Sequence, residues 1–201
     1  GPTVSQTVAR MERDGLLHLD PQRRIRLTEA GRSTATAVMR KHRLAERHLL
    51  DVIGLDYAHV HEEACRWEHV MSREVEERIA ARIQPPYVDP YGNPIPGLAE
   101  LGIAETDVTP EGKDDSNPVR PLIEVITEQA AGRVRLDRIG ERVQSDPRLL
   151  EELAGHGIVP GAEADVERIA DSFVLRGSSG GEVAIPAVSA GQLHVTPLTA
   201  G

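Results

Sequence analysis

Several common features are missing from this 201-residue chain, and each absence removes a class of protein. A single cysteine cannot build a disulfide framework, and that usage suits a reducing cytoplasm. There is no apolar run of about 18 residues and no signal peptide, so a soluble, cytoplasmic protein with no membrane partner is expected. Repeats and low-complexity tracts are also lacking. Only two lysines stand beside 21 arginines, a bias from which no function is drawn. What is present is a 39% apolar content, enough to bury a core, and the length predicts two compact units joined by a linker.

Charge is unevenly spread. Residues 1–50 hold ten Lys or Arg against five Asp or Glu, about +5, so the remainder carries about −14 of the net −9. The basic end is therefore the candidate polyanion surface, because binding to phosphates depends on local potential rather than on the total.

Near that end, Val4, Val8 and Met11 line one side of a predicted helix that Gly15 stops. Residues 16–19 and 24–27, separated by Asp20-Pro21-Gln22-Arg23, predict a β-hairpin with an arginine-rich tip. A helix followed by a basic hairpin suggests a winged helix. Thr3, Ser5, Gln6 and Arg10 on its polar face are of the types that read base edges and phosphates, although an ordinary surface helix has the same composition. Thr28 with Glu29 opens a long helix to about Asp51. Asp56 is expected to cap the next helix, and Ser72 with Glu74 starts another that Pro85 and Pro86 stop near Ile83. Residues 84–100 predict an ordered Pro/Gly loop and 104–118 a flexible linker. Beyond it, segments 122–127, 132–138, 163–170 and 172–175 predict short strands around one helix at 147–154, together a small β-barrel.

The densest chemistry lies in the stretch 61–69, HEEACRWEH. A helix advances about 100° per residue, so His61, Cys65, Glu68 and His69 fall on one stripe. Thiolate, imidazole and carboxylate together suit a transition metal better than magnesium or calcium. A zincin protease is excluded, because His-Glu-x-x-His would need histidine where Cys65 stands. A second pair, His42 and Glu46, is stacked four residues apart on the long helix, so two neighbouring helices could close a site between them. The plainer alternative for both segments is a small buried thiol and solvated, ion-paired helix faces.

Four motifs in order, GPTVSQTVARMERDGL at 1–16, VMRKHRLAER at 38–47, HEEACRWEHVM at 61–71 and YGNPIPG at 91–97, resemble the iron-dependent diphtheria toxin repressor family. The likeness is dense to about residue 103. In 119–201 it rests on ERVQ at 141–144 and GIVPG at 157–161, which resemble the family's SH3-like third domain. The fold expected is mainly α with a small β domain. It comprises a truncated winged helix (1–27), a helical metal-binding and dimerisation domain (28–103), a linker (104–118) and an SH3-like β-barrel (119–201).

The resemblance implies two metal sites. His42, Glu46 and His61 match ancillary-site ligands, with Glu141 and Gln144 supplied by the third domain, while Cys65, Glu68 and His69 match the primary, activating site. The stripe is thus divided, with His61 turned toward one metal and the others toward the second. Arg43 and Asn93 match residues near an anion beside the ancillary site, but Asp89 stands where the family often has serine, and a carboxylate there repels an anion. Because the chain opens at Gly1 inside the first motif, the family's first two helices and a methionine ligand of the primary site are expected to be missing. A fragment of a longer protein, with an incomplete primary site and weak operator binding, is the expectation. The function implied is a non-enzymatic, metal-dependent transcriptional repressor with ferrous iron (Fe2+) as corepressor, Mn2+, Co2+, Ni2+ or Zn2+ being able to substitute in vitro. Its partners would be an inverted-repeat operator and a second copy of the chain, with dimer contacts around Trp67 and Val70. Pro2, Thr3, Ser5 and Gln6 would address bases and nearby phosphates, with Arg10, Arg13 and Arg23 on the backbone. Two alternatives remain from the residues alone, a metal-dependent hydrolase and a metal-transport accessory protein with an SH3-like end.

Overall fold

A computed structural model describes residues 3–104, 118–129 and 131–198. The expected linker falls almost entirely outside these residues, and so does Pro2. The chain first forms α1 (Val4–Arg13), opened by a capping box in which Thr3 and Gln6 each bond the other's backbone N–H. Strands β1 (Leu17–Leu19) and β2 (Ile25–Leu27) follow as an antiparallel hairpin, pairing Leu17 with Leu27. Its tip is folded around Asp20, whose carboxylate accepts from the backbone of Gln22 and Arg24 and from the side chains of Arg24 and Arg26. Thr28 then joins hairpin to helix, donating its hydroxyl to the Gly15 carbonyl and capping α2 (Glu29–His48) at Gly31.

Helix α2 is the organising rod of the first half. It continues into a wider π-type turn, Leu49–Ile53, ended by Gly54 in the left-handed region. Against it pack α3 (Val60–Trp67) and α4 (Arg73–Ala80), the latter capped by Ser72 as expected. Leu44, Ala45, Val60 and Ala64 are buried where α2 meets α3. Asp56 does not cap α3; its carboxylate accepts from Ala58 in the preceding turn, and α3 begins after His59 without a side-chain cap. Arg40 is buried on the opposite side, held by Glu76 at 2.6 Å, Glu100 at 2.9 Å and the Gly97 carbonyl at 3.0 Å. Gly97 has φ +65°, and a Cβ there would lie 2.7 Å from the Arg40 guanidinium, so both backbone sign and space require glycine.

The second half is a six-stranded antiparallel sheet with helices against it. Its strands are β3 (Arg120–Pro121), β4 (Ala131–Ile139), β5 (Glu163–Ile169), β6 (Ser172–Gly177), β7 (Glu182–Pro186) and β8 (Leu193–Leu198), in the order β3-β8-β4-β5-β6-β7. Four helices accompany them: α5 (Leu122–Gln129), α6 (Glu141–Gln144), α7 (Pro147–Gly155) and α8 (Ala187–Ala190). The strand expected at 122–127 is helical instead. Leu122, Val125 and Ile126 are the buried positions, and their spacing of three and four puts them on one helix face. The two halves meet at the 89–93 turn. There Ile139 donates its backbone N–H to the Tyr91 carbonyl, and Asn93 Nδ2 donates to the Ile139 carbonyl, both at 2.9 Å. Gly92 permits the approach, since a Cβ would meet the Asp137 carbonyl oxygen at 2.0 Å.

Candidate metal centre

The centre lies between α2 and α3. His42 and Glu46 lie one helical turn apart on α2, and His61 enters from the first turn of α3; all three are buried. His42 Nε2 is 2.8 Å from Glu46 Oε1, and His61 Nδ1 is 3.1 Å from each of those atoms. A metal holding ligands at about 2.1 Å and right angles would set neighbouring donors about 3.0 Å apart. The three donors already form such a triangle. Glu46 Oε2 is also buried with no hydrogen-bond partner, the state of an oxygen left for a cation. Two imidazoles and one carboxylate suit a divalent transition metal.

Electrostatics fit the same picture. Burial would pull the His42 imidazole down, but Glu46 and Glu68 outweigh it and hold it above the usual histidine range. Burial likewise opposes ionisation of Glu46, yet its contacts with the His42 and His61 imidazoles keep it below the usual carboxylate range. The donor set thus combines a carboxylate whose ionised form is favoured with an imidazole on which a proton competes with a metal. Cys65 lies 3.8 Å from His61 Nε2, and burial together with the Glu68, Glu46 and Glu141 carboxylates pushes its thiol up.

The side chains of the stripe from 61 to 69 take different directions. Helix α3 ends at Trp67, so the backbone turns before His69, which is 70% exposed and contacts only Glu68 Oε1 at 3.3 Å among the described ion pairs. Glu68 points back instead, its Oε2 2.7 Å from His42 Nδ1. Cys65 and Glu68 therefore border the same pocket of about 450 Å³ as His42 and His61. From the second half, Glu141, Arg142 and Ser145 reach this pocket. Glu141 is half exposed and 3.9 Å from Arg43, while Gln144 is buried and donates its amide to the Ile139 carbonyl at 2.6 Å. Ser145, which the sequence reading missed, places its hydroxyl 3.3 Å from His61 Nε2.

Arg43 and Asn93 do converge, but on Asp89 rather than on an open anion site. Asn93 Nδ2 donates to Asp89 Oδ2 at 3.0 Å, the Tyr91 and Asn93 backbone N–H groups donate to Oδ1 at 2.8 Å, and Arg43 Nε lies 3.4 Å away. A protein carboxylate takes the donors that an external anion would need. Burial, with the Glu46 carboxylate nearby, nevertheless pushes Asp89 up to about 7.

At the basic end, Ser5, Arg10, Arg13 and Arg23 are exposed, while Thr3 and Gln6 are engaged in capping α1. Trp67 is half buried and donates to Glu63 at 2.8 Å, whereas Val70 is 82% exposed.

A winged-helix end, a buried imidazole–carboxylate cluster between two helices and a small antiparallel β domain together define a metal-responsive regulator of transcription. Comparison with known proteins agrees. Residues 28–97 match the family model described as "Iron dependent repressor, metal binding and dimerisation domain". The chain is 54% identical over 171 residues to the iron-dependent repressor IdeR of Mycobacterium tuberculosis, covering 83% of this chain and 70% of that one. It is 45% identical over 179 residues to the diphtheria toxin repressor of Corynebacterium diphtheriae, covering 85% and 79%. Among solved structures, a manganese-dependent transcriptional repressor in complex with manganese superposes with a TM-score of 0.71 at 27% identity, covering 96% of this chain and 83% of that one. The chain belongs to the iron-dependent, diphtheria toxin repressor family.

Proposed function

We propose that this protein is a metal-sensing transcriptional repressor whose corepressor is ferrous iron. The observation that carries the reading is the His42, Glu46 and His61 triangle, with its orphaned Glu46 oxygen, at the junction of α2 and α3. In this reading those three residues hold an ancillary metal, with Glu141 and Gln144 completing the set, and Cys65, Glu68 and His69 belong to the primary, activating site. Bound there, a divalent cation would supply positive charge in place of the His42 proton and tie α2 to α3. Because α2 is capped through Thr28 against the Gly15 carbonyl, its position is carried directly to α1 and the hairpin.

The DNA-facing residues would be Pro2, Thr3, Ser5, Gln6, Arg10, Arg13 and Arg23. Two copies, related by a two-fold axis, would set their α1 helices on the half-sites of an inverted repeat. Only a geometry that binds metal more tightly than its alternatives can be selected in this way. The division into residues 1–27, 28–103 and 119–201 follows the same reading, as does action in the cytoplasm. No helix among the described residues is long and apolar enough to cross a membrane. No catalytic residue is assigned, and the relatives bear the names of repressors.

The test is operator binding at fixed salt, with and without ferrous iron, because phosphate contacts alone make affinity salt-dependent. Iron should raise affinity by at least about tenfold, which corresponds to about 1.4 kcal/mol of coupling. Equal binding in both conditions would remove iron from the mechanism.

A further inference from the structure

We propose that Ser145, presented by the β domain, fixes the tautomer of His61 and so determines how readily that imidazole accepts a cation. The inference rests on His61 being a metal residue, as argued above, and assigns to Ser145 a positioning role rather than direct ligation.

His61 has two chemically distinct faces. Its Nδ1 looks toward His42 Nε2 and Glu46 Oε1, each at 3.1 Å. Its Nε2 looks the other way, toward Ser145 Oγ at 3.3 Å and the weaker partner Cys65 Sγ at 3.8 Å. Ser145 Oγ also lies 2.9 Å from the Glu141 carbonyl oxygen. A carbonyl only accepts and a hydroxyl has one hydrogen, so Ser145 donates to Glu141 and turns a lone pair toward His61. The hydrogen bond across the domain boundary must then come from His61 Nε2–H. A neutral imidazole protonated at Nε2 has its free lone pair on Nδ1, where His42 Nε2–H, 3.1 Å away, is the available donor, and that lone pair points into the triangle with Glu46 and His42. Such a partner on the far nitrogen is how a metal-binding histidine is ordinarily oriented and made more basic.

The origin of Ser145 gives the contact a regulatory meaning. It directly follows α6, whose Gln144 is anchored to the Ile139 carbonyl, the same carbonyl that receives Asn93 from the 89–93 turn. Docking of the β domain on the helical half thus delivers the Ser145 hydroxyl to His61. By reciprocity, whatever free energy docking adds to cation binding, cation binding adds to docking.

The experiment compares Ser145→Ala, Ser145→Thr and Ser145→Val in the whole chain by two readouts. Long-range 15N spectra of the metal-free protein at pH 8 should show His61 as the Nε2–H tautomer in the unmodified chain and in Ser145→Thr. Ser145→Ala and Ser145→Val should lose that preference. In calorimetric titration with Mn2+, Ser145→Ala and Ser145→Val should weaken the binding event that His42→Ala abolishes by about 10- to 100-fold, and Ser145→Thr should restore it. Threonine and valine have nearly the same shape, so a purely steric role would make those two variants alike and would overturn the proposal. Unaltered tautomer and affinity in Ser145→Ala would overturn it too, with the metal site left standing if His42→Ala still abolishes the event. A titration unaffected by His42→Ala would remove the metal site itself, and the role of Ser145 with it.

Discussion

Six of the eight buried polar side chains among the described residues, Arg40, His42, Glu46, His61, Glu76 and Asp89, lie in the helical half, and only Gln144 and Thr196 lie in the β domain. The β domain instead closes over Val134, Leu136, Phe173, Val183 and Ile185, a mainly apolar interior at whose margin the partly buried His194 keeps its Nδ1 without a hydrogen-bond partner. Apolar burial is non-directional and gives a scaffold of one shape. Buried charge costs solvation unless it is matched, so the helical half is stable in proportion to how well its partners match. That asymmetry concentrates buried charge in one half and apolar packing in the other, and the 89–93 turn connects them.

The sharpest way to break the contrast is to damage each core in its own manner. Phe173→Ala should destabilise by about 3–5 kcal/mol through lost contacts and a cavity, with no dependence on metal or pH. Arg40→Ala should lose about as much for the opposite reason, since it leaves Glu76 buried and uncompensated. Chemical unfolding with and without the added change Glu76→Gln distinguishes them, because removing that buried charge should ease only the Arg40 variant. An equal response in both would mean that the two cores are not different in kind.

Asp89 offers a smaller effect with a defined sign. Its carboxyl keeps its proton to about pH 7 when folded, whereas in the unfolded chain it ionises in the ordinary carboxylate range. Between about pH 4 and pH 7 the folded state therefore binds more protons, and stability should fall as pH rises, by on the order of 2–4 kcal/mol. Asp89→Asn should flatten that decline in metal-free protein; an unchanged pH profile would mean that Asp89 is ionised throughout. Smaller again is Thr3→Ala. It removes half of the capping box, so amide exchange in α1 should speed up by an amount equivalent to about 1 kcal/mol. Because no residue of α1 is buried, the rest of the molecule should not respond.

The sequence revealed the functional half better than the scaffold half, for physical reasons. His42 and Glu46 are related by helical periodicity, and the HEEACRWEH stretch concentrates ligand chemistry, so a cluster between two helices was legible in the residues, while the grouping of His61 with His42 and Glu46 came from the family resemblance. The fate of Glu68 and His69 was not, because it depends on α3 ending at Trp67, and no glycine or proline within the stretch marks that end. Leu122, Ile123, Val125 and Ile126 satisfy both helical and strand patterns, and packing of α5 against the sheet decided between them. Strands β7 and β8 went unread, since each has only two or three buried positions between glycines and small residues. Ser145 was beyond any local pattern, as its contact with His61 spans 84 residues.

The most direct test of the account is an anaerobic ferrous-iron titration of the protein beside its Glu46→Gln variant. Among the described residues Glu46 is the one carboxylate that both histidines address, and its second oxygen has no hydrogen-bond partner there. The account predicts that the variant loses one binding event, or that its affinity there falls by about 100-fold or more, while its fold is retained. Identical stoichiometry and affinity in the two proteins would contradict it.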